Sequence, residues 1–184
     1  IAGLRETSVV LIQGLDMLQE LHPFVQLAVN EFKLVMTLEM APLETSKKVL
    51  VVSIQMQDMM SALFQLRNIR GSYVKGRDGL TLENRMSALI KSISDDIERC
   101  GNICDVFVSK DVLGKISSMP PLCYLRPRSA ATTIRSDEYE LLFAEFVTTF
   151  HTYKQKIAFD VFTTSGNDAA NKEFGGQEYE PMTI

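Results

Sequence analysis

Six apolar residues, Val49, Val52, Met56, Met59, Leu63 and Leu66, recur at alternating spacings of three and four. This rhythm returns each side chain to one face of a helix, whereas a strand would need alternation at every second residue. Lys48, Gln55, Gln57, Asp58 and Gln65 fall between them and are assigned to a polar face. The short β-branched run from Val49 to Val52 stays in phase with the same seam, so it reads as helix. A seam of this kind needs apolar partners, and the rest of the chain supplies them.

The helical period recurs in four further segments, and the five are placed at about 7–21, 23–41, 44–70, 81–113 and 137–164. Leu11, Leu15 and Leu18 mark the first, with Thr7 or Ser8 as candidate N-cap and Gly14 as a weak point inside it. Pro23 opens the second, where a missing amide donor costs nothing. Val25, Val29, Phe32, Met36 and Met40 follow, and Pro42 ends it. Gly71 closes the third. Thr81 is a good N-cap for the fourth, whose stripe is Leu82, Met86, Leu89, Ile93, Ile97, Cys100, Cys104 and Phe107; Gly101 can permit close packing or a bend. Asp137 and Glu140 have capping-box spacing at the start of the fifth. Its stripe is Tyr139, Phe143, Phe146, Phe150, Tyr153, Ile157 and Val161. The stretch 117–135 carries Pro120, Pro121 and Pro127 and no period, and reads as a long loop. A short helical turn is expected at 168–173 and a loose tail at 175–184. The expected architecture is all-α: one domain over residues 1–174, an antiparallel four-helix bundle plus a C-terminal brace-like helix after the long loop.

The chain of 184 residues is 46% hydrophobic and 23% charged, the balance of a chain that buries a full core. A formal net charge of −4 argues against a general nucleic-acid binder. Three cysteines without a regular framework point to a reducing compartment, most simply the cytoplasm. No continuous apolar run reaches the roughly 20 residues of a bilayer-spanning helix. The first residues, of mixed charge, do not read as a signal peptide, and a start at Ile1 fits a piece of a longer protein.

Reactive constellations are sparse. The glycines at 71, 76 and 79 lack the preceding strand of a phosphate-binding loop. His22 stands at a helix start, where its ring caps or stays in water, and His151 lies beside Phe150; neither has metal-binding spacing. Cys100 and Cys104 share a helix face, but zinc needs two more ligands, so they read as core. Asp95–Asp96 and Asp137–Glu138 are sequential and diverge on a helix. No catalytic residue, metal ligand or cofactor is therefore expected. The nine methionines, with Met56, Met59 and Met60 clustered, either fill the core or form a seam able to repack against another helix.

Arg67, Arg70, Lys75 and Arg77 surround the connection after the third helix, opposed there by Asp78, and Arg126, Arg128 and Arg135 mark the long loop. If the two meet, they form a positive pole on an acidic protein, fit to contact anionic lipid headgroups or a partner.

The string Gly14-Leu-Asp-Met-Leu-Gln-Glu-Leu-His22-Pro23-Phe24, with Phe32-Lys33, Leu38-Glu39, Gln55-Met-Gln-Asp-Met-Met60 and Cys100-Gly-Asn-Ile-Cys104-Asp105, resembles the N-terminal helical domain of a large set of basidiomycete fungal proteins. That group looks related to the four-helix bundle of the mixed-lineage kinase domain-like pseudokinase and to fungal HeLo-type domains. The resemblance covers about residues 7–172 and includes Asp168-Ala-Ala-Asn171. It implies a bundle followed by a brace helix, attached to other domains. It also implies regulated self-association and, with recruitment from the cytoplasm, attack on anionic membrane in a cell-death or defence response. The methionine-rich seam and the aromatic stripe fit an alternative, a protein-binding adaptor or regulatory helical bundle without membrane activity.

Overall fold

A computed structural model describes residues 2–39, 47–69, 75, 79–115 and 136–174, with side chains placed over 6–37, 47–69, 75, 79–107 and 138–164. The described residues are all-helical, and their only bridge is an isolated antiparallel one, Lys75 to Thr81.

Helix α1 spans Ala2–Leu21. It begins before Thr7 and Ser8, so neither caps it. Ser8 is instead buried and accepts a 2.8 Å hydrogen bond from Gln57 Nε2 on α3. Gln57 thereby leaves the polar face assigned to it from sequence: the two buried side chains satisfy one another, which removes much of the cost of burying either. His22 also departs from expectation. It is buried, and its Nε2 lies 3.0 Å from the carbonyl oxygen of Leu66, with the ring edge-on to Phe24. As the carbonyl only accepts, the imidazole carries a proton on Nε2.

A 3-10 turn, Pro23–Val25, leads into α2, Gln26–Leu34, which continues as a π-helical turn, Val35–Glu39. Lys33 Nζ reaches back 2.7 Å to Asp16 on α1. Met40 and Pro42 lie outside the described residues.

Helix α3, Lys47–Ala62, tightens into a 3-10 segment, Leu63–Asn68. The change of pitch suits the sequence, since a 3-10 helix stacks every third side chain and Leu63, Leu66 and Ile69 are all buried. It also presents Phe64 to Gly14 of α1, where a Cβ would sit 2.5 Å from the ring. The glycine that weakened the sequence pattern is therefore the seat for an aromatic ring. Lys47–Asn68 is long and apolar enough, by length and composition, to cross a membrane, but 56% of its most apolar stretch is buried in the interior. It reads as the core helix that its seam predicts.

Helix α4 spans Leu82–Lys115 and α5 spans Ser136–Phe174. Thr81 caps α4 as expected, its Oγ1 accepting from the amide of Asn84 at 3.2 Å. The buried stripe of α4 runs Leu82, Met86, Ile90, Ile93, Ile97, Cys100, Cys104. It passes through Ile90, with Leu89 half-buried at the edge; both positions fit a spacing of threes and fours, so packing rather than period decides between them. Glu140 pairs with Lys48 of α3, while the side chain of its expected capping partner, Asp137, lies outside the described residues. The turn foreseen at 168–173 is continuous with α5, and the tail 175–184 lies outside the described residues.

The most extensive helix contacts join α3 to α5, α2 to α4 and α4 to α5. Lys48 with Glu140 and Asp58 with Lys154 show α3 and α5 running the same way. Asp96 with Tyr153 and Phe107 with Tyr139 show α4 running against α5. Met56, Met59, Met60, Phe146, Phe150 and Leu15 fill the interior they enclose. Of the two readings of the methionine cluster, the core one holds, since all three side chains are withdrawn from solvent.

Candidate functional site

Two exposed regions stand out, a groove between α4 and α5 and the connection from α3 to α4. On α5 the positions buried against α3 and α4 are Tyr139, Phe143, Phe146, Phe150, Ile157 and Val161. Tyr153, on the same stripe, is only half-buried, because it stands at the α4–α5 seam. Its hydroxyl donates 2.6 Å to Asp96 Oδ2. Burial, then the Asp96 carboxylate, push the Tyr153 phenol up to about 12; Asp95 adds to this, and a hydrogen bond with Ser92 opposes it. Each carboxylate disfavours a phenolate beside it.

Arg99 continues this polar seam. Its guanidinium lies 3.2 Å from Glu145 Oε1, 3.9 Å from Asp96 Oδ1 and 5.2 Å from the centre of the Phe146 ring. Lys154 bonds both oxygens of Asp58, at 2.7 and 2.8 Å. These groups join α5 to its neighbours on both sides, and all keep partial contact with solvent. They make a clamp, not a reactive centre.

Beside the clamp an open groove of about 720 Å³ lies between the two helices. Ala88, Leu89 and Ser92 of α4 and Tyr153, Lys156 and Phe159 of α5 are among its walls. Lys156 Nζ stands 5.8 Å from the centre of the Tyr153 ring. Phe159 is 68% exposed and Phe162 is 76% exposed. None of these walls carried a sequence-based assignment except Leu89 and Tyr153, which were read as core. The available signal was that Phe159 and Phe162 fall off the stripe that buries the other aromatics of α5.

Of the basic residues singled out from sequence, two are described. Arg67 is exposed at the end of the 3-10 segment, and Lys75 is exposed where it bridges to Thr81. Arg70, Arg77, Arg126, Arg128 and Arg135 lie outside the residues with described side chains, so a meeting of the two basic connections is not part of the structure presented. α5 also packs on Leu63–Asn68, and since α3 and α5 run the same way, that contact falls past Lys154, toward the groove. The described exposed residues of the α3–α4 connection, Gln65, Arg67, Asn68, Lys75, Gly79 and Leu80, include no carboxylate. Nearby carboxylates are Glu20 on α1, Glu83 and Asp160, the last two half-buried.

Cys100 and Cys104 are buried, and among the described residues neither forms a disulfide. Among the described residues no group of three or more His, Cys, Asp or Glu is placed to hold a metal ion. His151 is exposed and lies 3.0 Å from Gln155 on its own helix. No protein-family model matches the chain, and no match was found among curated proteins or among solved structures.

Proposed function

We propose that this chain is a non-catalytic, HeLo-like helical module of a fungal cell-death or defence signalling protein. It acts by self-association and by contact with anionic membrane, to which it is recruited from the cytoplasm. In this reading α1 to α4 form an antiparallel four-helix bundle and α5 is its brace-like partner. The class rests on the motif resemblance, and the membrane contact on one observation. On a protein of net charge −4, the α3–α4 connection exposes Arg67, Lys75 and Leu80, and its sequence holds a single acidic residue, Asp78. Phe162 of α5 adds an exposed ring at the same end. Cations near a bilayer surface each contribute about 1 kcal/mol of attraction to anionic headgroups, and an exposed aromatic ring suits the headgroup boundary.

Co-sedimentation of the chain with phosphatidylcholine vesicles, with and without phosphatidylserine or phosphoinositide, tests the membrane contact. Binding is expected only to the anionic vesicles. It should weaken with salt, because exposed charges are screened, and fall in Arg67→Glu/Lys75→Glu. No binding at low salt removes this part of the proposal. Sedimentation velocity over a concentration series tests self-association, with a single monomer boundary throughout as the contrary result.

A further inference from the structure

We draw no further inference here: the strongest candidate, the open groove between α4 and α5 with Leu89 and Phe159 in its walls, is lined by one lysine and one aspartate, Lys156 and Asp160, and nothing in the structure shows what covers it.

Discussion

In the first half of α5, Phe143, Phe146 and Phe150 turn inward and are buried against α3 and α4; past Ile157, Phe159 and Phe162 turn outward into solvent. The residue type is the same and the helix is continuous, so phase decides which ring is core. Phe143, Phe146 and Phe150 stand three and four apart on the buried stripe, whereas Phe159 and Phe162 lie between its later members, Ile157, Val161 and Thr164. The charges divide in the same way. Glu140 and Glu145 pair with Lys48 and Arg99 around the inward rings, while the described exposed residues around the outward ones include no carboxylate. Both halves bury the same stripe, and among the described residues the second half adds exposed aromatic rings beside it.

The comparison can be broken most directly at the inward rings. Phe146→Ala or Phe150→Ala should each cost about 3–5 kcal/mol, since a fully buried phenyl is removed and a cavity remains. An unmoved denaturation midpoint would show that this half is not the anchor. Next in size is the seat that α1 provides for Phe64. Gly14→Ala should destabilise by about 1–3 kcal/mol despite the better helix propensity of alanine, because the new methyl meets the Phe64 ring. Phe64→Leu in the same chain should recover part of that loss; if Gly14→Ala alone stabilises, the close approach is not real.

The boundary between the halves is Tyr153. Tyr153→Phe should cost about 1–2 kcal/mol by leaving the Asp96 carboxylate short of a donor. The phenol has a second signature. Its value of about 12 in the folded chain lies above the ordinary 10.0. The associated stability is therefore complete below pH 10.0 and is lost as pH rises through about 12. Ultraviolet titration of Asp96→Asn should show phenolate forming at lower pH than in the unaltered chain, and an identical titration would remove Asp96 as a cause. The smallest effect belongs to the outward rings. Phe159→Ala should change stability by no more than about 0.5 kcal/mol, and a loss near that of Phe146→Ala would abolish the distinction between the halves.

Much of this division was legible along the chain. Spacing alone put Tyr139, Phe143, Phe146, Phe150, Tyr153, Ile157 and Val161 on one stripe, and all but Tyr153 are buried. The same rule placed the α3 seam and the Thr81 cap. It failed where a polar residue found a distant partner. Ser8 and Gln57 bond each other across the interior, and His22 reaches a carbonyl far along the chain. Spacing reports which face a residue occupies, but not whether a hydrogen-bond partner waits there. The groove was missed for a related reason: Leu89 and Tyr153 have core-like spacing, and only the open groove between α4 and α5 leaves them half-buried at an edge.

Local periodicity was enough to establish that the described chain is helical, since a repeat of three and four is compatible with burial on one side of a helix alone. Which helices became neighbours, how Gly14 came to seat Phe64, and where an opening remained between α4 and α5 were decided only by packing. Those outcomes depend on the shapes of surfaces far apart in the chain, and a repeat within one segment carries no information about the contour of another.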